Sequence, residues 1–251
     1  MVKKYLKIIN MIIIILLSLM VIFFVDCICE KNIIDKKILE FKSRGEYVYQ
    51  NDIYTYYKVK KTHQYEDTSN ILNKCEDMNV GTVGDVYLTN RNPINGFFVT
   101  DLISKLSYIG HGGMIYNQKG TQMIEIVGNK GLNKNKVEIN YNDWLEIDSP
   151  NYIVLRSKSI DDNKKDILKK ESQDVLGCRY NYTLISNNKT FYCTDLISYL
   201  YKKININLNK DYFFTTGSDI ITNNDMYMIY YRERYIKNNK ICYNIYYLSE
   251  E

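Results

Sequence analysis

Apolar residues run almost unbroken from position 8 to 25, interrupted only by Asn10 and Ser18, and then give way to shorter, patterned stretches. A run of that length is what a membrane-spanning helix requires. Beyond it, Ile34, Ile38 and Phe41 fall at helical spacing and predict a short helix over 31–41, ended near Gly45. A strand is expected over 53–59, and the rest of 26–79 reads as a stalk or N-terminal extension. From Gly84 the pattern carries more. Gly84-Asp85-Val86-Tyr87-Leu88 predicts a turn into a strand, 100–106 a short helix, and 109–116 a second strand. Asn117-Gln118-Lys119-Gly120 is a hairpin turn leading to the β-rich run 122–127. Asn142-Asp143-Trp144-Leu145 reads as a capped helical turn and 152–156 as a core strand. The stretch 161–175 reads as a helix that turns Ile160, Ile167, Leu168 and Val175 inward. Finally Cys193, Leu196, Ile197, Leu200 and Tyr201 form one apolar stripe of an amphipathic helix. Strands followed by helices, with no repeat or low-complexity linker between Gly84 and Tyr201, predict an α+β domain. The expected division is a membrane segment at 1–25, the extension at 26–79 and the main domain at 80–251.

Composition narrows the function classes. The formal net charge is +4, and Lys3, Lys4 and Lys7 at the N-terminus account for much of it, so nothing calls for nucleic acid. The same lysines, placed before the apolar run, put the N-terminus in the cytoplasm and the domain on the far side of the membrane. No small-x-small cleavage site stands out, and Asp26 before Cys27 makes a poor lipoprotein box; a retained anchor is favoured, with a cleaved signal and a secreted product as the alternative. Cysteines at 27, 29, 75, 178, 193 and 242 include no pair of Cys-x-x-Cys motifs, and with two histidines in the chain no metal or cofactor is expected. In an oxidising compartment Cys75, Cys178 and Cys242 could pair. The 25 tyrosines, frequent also in the tail 227–247, read as the codon bias of an AT-rich genome rather than as a stacking surface.

The chemistry concentrates at Cys193. A cysteine in the first turn of a helix faces unpaired N–H groups, which favour its thiolate by roughly 0.3–1 kcal/mol. A basic neighbour lowers its pKa further. His63 lies among polar residues and reads as a solvated surface group, which leaves His111, in Gly110-His111-Gly112-Gly113, as the partner. The plainer alternative is a free cysteine packed as a small hydrophobe on an apolar stripe. A tight hairpin sets Glu125 opposite or diagonal to His111, where a carboxylate orients the imidazole; a one-residue slip would turn it to solvent and leave Asn129 for that role.

These segments resemble, in order, the circularly permuted members of the NlpC-type papain-like superfamily, the YiiX/YebB-like amidases. The matching residues are Gly84-Asp85, then Ser107 through His111 and Gly113, then Glu125, then Gly177-Cys178-Arg179-Tyr180-Asn181, then Tyr192-Cys193-Thr194-Asp195-Leu196. Ser107 lies four rather than three places before the histidine, and Thr194-Asp195 stand where the family has Ser-Glu. The resemblance implies a permuted papain-like fold, with the cysteine helix packed on an antiparallel sheet or small barrel. It also implies that Tyr180 lines the site and that the Cys193 N–H contributes to an oxyanion hole. A buried core tyrosine is the alternative for Tyr180. The function expected is a Cys-His amidase or peptidase acting through a thioester. Its substrate would be peptidoglycan peptide in a bacterium, and a lipid or protein amide or ester in a large DNA virus or a eukaryote. The alternatives are a lipid-directed thiol acyltransferase or esterase, and a non-catalytic membrane-tethered protein of the same fold.

Overall fold

The computed structural model of the chain describes residues 2–71, 79–90, 110–128, 135–145, 151–183, 187–209 and 214–250. The expected helix at 100–106, Ser107, Cys75 and Asn129 lie outside them. Helix α1 (Val2–Ser43) joins the apolar run and the expected short helix into one continuous element. Its first half is exposed, and over Tyr5–Ser43 it is long and apolar enough to cross a membrane, a test that a signal sequence also passes. The second half docks. Cys27, Ile34 and Phe41, seven residues apart and so on one helical face, are buried against the domain.

Nine strands form one linear sheet in the order β1-β2-β11-β10-β7-β3-β4-β5-β6. They are β1 (Gly45–Gln50), β2 (Tyr54–Lys60), β3 (Val86–Thr89), β4 (His111–Ile115), β5 (Gln122–Ile126), β6 (Val137–Tyr141), β7 (Asn151–Ser157), β10 (Met226–Lys237) and β11 (Lys240–Ser249). All neighbours are antiparallel except β2 and β11. A short parallel pair, β8 (Arg179–Tyr180) and β9 (Thr190–Phe191), stands apart. The helices that follow are α2 (Asp162–Asp174), α3 (Cys193–Lys203) and α4 (Gly217–Thr222). The architecture is α+β: a long N-terminal apolar helix and a mixed sheet with helices packed on it.

The strand expected over 53–59 is β2, and it lies inside the sheet, paired in parallel with β11 from Tyr54↔Tyr243 to Lys60↔Ser249. The tyrosine-rich tail is the hairpin β10–β11, and its rings stack on those of β2. Tyr57 lies on Tyr246 at 4.6 Å and 9°, Tyr54 lies on Tyr243 at 5.6 Å, and the buried Arg232 guanidinium is held between Tyr152 and Tyr243 at 4.4 and 4.7 Å. Such cation–aromatic contacts gain strength when desolvated.

The elements that frame the site follow from local sequence. Asp161 caps α2, its side chain accepting from Lys164 N–H, and Leu168 is fully buried. Gly84, at φ +93°, makes the turn before β3, where a Cβ would strike Ile160 at 2.9 Å. Tyr201 of α3 donates to the Gly84 carbonyl at 2.6 Å. Asp85 next to it is paired with Arg156 of β7, with Nη2 2.7 Å from Oδ2, and both side chains are almost fully buried. The Gly-Asp motif therefore serves the scaffold, tying the β3 turn to β7 and to the cysteine helix.

Candidate functional site

Helix α3 begins at Cys193, and its N-cap Tyr192 offers no side-chain hydrogen bond to the first turn. Without that cap, the Thr194 N–H of the first turn turns to the Cys193 sulfur. Leu196, Ile197, Leu200 and Tyr201 are buried, so the predicted stripe holds the helix on the sheet. Contact is close because β4 has no side chain at the crossing point. A Cβ on Gly112 would lie 3.0 Å from Leu88 Cδ2, 3.1 Å from Ile197 Cδ1 and 3.3 Å from Thr194 Cγ2. The His-Gly-Gly sequence thus presses the start of β4 against the start of α3, and His111 meets Cys193 there in a side-chain hydrogen bond.

The hairpin register settles the place of Glu125. Strands β4 and β5 pair Met114↔Ile124 and Ile115↔Met123, and continuing that register puts Glu125 diagonal to His111 on one face. The distance from His111 Nε2 to Glu125 Oε2 is 3.0 Å. With Nε2 on the carboxylate, Nδ1 is the ring nitrogen left for the thiol. Two further donors hold Glu125: Trp144 Nε1 to Oε2 at 3.2 Å and Asn140 Nδ2 to Oε1 at 3.2 Å. Trp144 also stacks on the imidazole, with ring centroids 4.9 Å apart.

These contacts polarise the pair. Burial pushes the Cys193 thiol up, but the hydrogen bond and charge of His111, with the N–H groups of Gly112 and Thr194, outweigh it and hold the thiol below its ordinary range. For His111 burial acts downward, and the sulfur and the Glu125 carboxylate together raise the imidazole to about 10. Burial likewise opposes ionisation of Glu125, while His111, Asn140 and Trp144 keep its pKa low. The arrangement favours thiolate and imidazolium in contact, backed by a carboxylate.

Tyr180 packs face-on over Gly128, where a Cβ would meet its ring carbons at 2.8–2.9 Å, and against Tyr182 at 4.8 Å. Burial, and next the charge of Cys193, push its hydroxyl well above the usual phenol range. The structure therefore brings Cys193, His111 and Glu125 into one chain of contacts with Tyr180 within electrostatic range, while His63 stacks on Tyr65 at 5.0 Å elsewhere. Sequence reasoning missed Trp144, Asn140 and the Gly112 N–H. The one available signal was that Trp144 is the only tryptophan of the chain. Cys178, Cys193 and Cys242 are free thiols.

No family model matches the chain, and no curated protein matches it. Among solved structures it is similar to the metalloprotein yiiX from Escherichia coli O157:H7, at 11% identity and a TM-score of 0.48, over 59% of this chain and 96% of that one. Among the described residues here, no group of three or more His, Cys, Asp or Glu is placed to hold a metal ion.

Proposed function

We propose that the chain is a membrane-anchored cysteine hydrolase that cleaves an amide or ester bond through a thioester. The observation that carries this reading is the continuous contact from Cys193 at the head of α3, through His111, to Glu125. Cys193 is the nucleophile, activated by ion pairing with His111 rather than by burial, which opposes it. Attack on a carbonyl forms a tetrahedral oxyanion, which the Cys193 N–H at the open helix terminus stabilises. Imidazolium donates its proton to the leaving amine or alkoxide, and water then releases the acyl group with His111 as base. Glu125 fixes the ring so that Nδ1 faces the sulfur. Tyr180 lines the site close to Cys193. The lysine-led helix α1 is a retained anchor, N-terminus in the cytoplasm and domain across the membrane.

The test is thiol reactivity as a function of pH. Iodoacetamide reacts with thiolate, so an ordinary thiol loses about tenfold in rate per pH unit below about 8.5. Cys193 is expected to label first at neutral pH and to keep its rate in mildly acidic buffer, with mass spectrometry locating the adduct. Labelling of Cys75 or Cys242 with Cys193 untouched would remove the nucleophile assignment.

A further inference from the structure

Two contacts fix how the docked half of α1 lies along the segment that leads into α4. At one end the rings of Phe23 and Phe214 meet at 6.1 Å. At the other, Lys37 Nζ donates to the Ile221 carbonyl at 2.7 Å and the Asn223 carbonyl at 3.3 Å. The stretch from 214 to 223 therefore runs alongside α1 in the same direction, spanning the roughly 20 Å that a helix rises over that interval. A capping box between Thr216 and Asp219 fixes where α4 starts. Thr215, one residue past Phe214, thus sits about level with the turn of α1 that follows Phe23. Its carbonyl accepts from Thr194 Oγ1 at 2.6 Å, and Thr194 is the neighbour of Cys193 in α3. On α1 that same level is where the apolar run stops, at Val25, and the first acidic residue, Asp26, appears.

We infer that Cys193 is held at the membrane boundary, and that its substrate is a bilayer-resident acyl ester or amide whose carbonyl lies near the lipid headgroups. This rests on Cys193 as nucleophile and α1 as a retained anchor. The docked, unbroken helix sets the height of the site over the bilayer, as a flexible tether of the same length would not. In the step itself the thiolate adds to the lipid carbonyl, the C–O or C–N bond breaks, and the leaving group takes the imidazolium proton. Water then splits the thioester into a free acid and the restored thiol.

The full chain, reconstituted in phosphatidylcholine vesicles that carry a dansyl headgroup lipid, tests the placement. Trp144, the single tryptophan, stacks on His111 and so acts as a built-in donor for energy transfer to the headgroups. A polar, helix-favouring insert of seven residues after Asp26 raises the domain by about 10 Å while completing nearly two helical turns, which preserves the docking face. The insert is expected to cut energy transfer severalfold and to lower turnover of a vesicle-borne lipid ester. Turnover of a soluble ester and iodoacetamide labelling of Cys193 should stay as they were. Energy transfer and lipid turnover that ignore the insert would overturn the inference. Failure of the underlying reading looks different: Cys193→Ala would keep full turnover, or the recovered protein would lack residues 1–25.

Discussion

In the proposed mechanism Glu125 adds orientation to the Cys193–His111 pair. Its carboxylate receives the imidazole, the Trp144 indole and the Asn140 amide at once. Glu125→Gln keeps the shape but removes the charge that stabilises imidazolium, so turnover on an amide or ester substrate is expected to drop by at least tenfold with circular dichroism unchanged. His111→Ala removes the base and should cost more, on the order of the 10²–10⁴-fold typical of general acid–base groups. It should also return Cys193 labelling to the pH dependence of an ordinary thiol, since the main force lowering its pKa is gone. Because His111 is raised to about 10, the imidazolium needed to protonate the leaving group persists through neutral pH. On the alkaline side, turnover should therefore fall as pH rises through about 10. A pH–rate profile checks this, and an alkaline limb near 7 would count against it.

At the scale of elements, the site depends on how closely β4 and α3 approach. Gly112→Ala would drive a methyl into Leu88, Ile197 and Thr194, and overpacking of that kind costs about 1–3 kcal/mol. Chemical denaturation should show the loss, and because α3 carries Cys193, low-pH labelling should weaken as well. Asp85→Ala takes from the buried Arg156 its closest carboxylate and leaves it Asp67 at 3.2 Å and the Ser69 carbonyl, so the loss should fall below the roughly 3–5 kcal/mol of a fully broken buried pair, with the site chemistry affected only through stability. What the sequence revealed follows the same division. Periodicity located α2 within a residue at either end, found β7, and placed Cys193 at the head of α3, because each is amphipathic or bounded by a cap or turn. It missed β10, whose first seven residues are all buried. A strand covered on both faces has no alternation to read. His111 and Glu125 were legible through hairpin geometry. Trp144 and Asn140 were not, because they reach Glu125 across the sheet from segments whose local pattern concerns only their own turn and strand.

For the whole molecule, the main question is what α1 does after synthesis. One face of its second half is buried in the domain while the first half is exposed and apolar. If it is retained as an anchor, the mature protein should keep residues 1–25 and stay with membranes through a carbonate wash. A soluble product whose N-terminal sequence starts after Val25 would identify a removed signal. Tying the domain to the helix by packing as well as by the chain also restrains its tilt, through Lys42 on Glu233 at 2.7 Å and, just past the helix end, Arg44 on Glu66 at 2.8 Å.

The parallel pairing of β2 with β11 bears on the order in which the ribosome delivers the protein. β2 is made well before β11, so the hairpin β1–β2 emerges with one edge open and waits for the intervening chain before that edge is filled. Long-range strand pairing of this kind is slow, and an unpaired edge invites pairing with other chains. A chain stalled or clipped before β11 would therefore expose two edges, β2 on one side and β10 on the other. The ten residues of β11 act as a late seal, and loss of them should convert the protein from a folded domain into an aggregating one, even though they lie far from Cys193 in sequence.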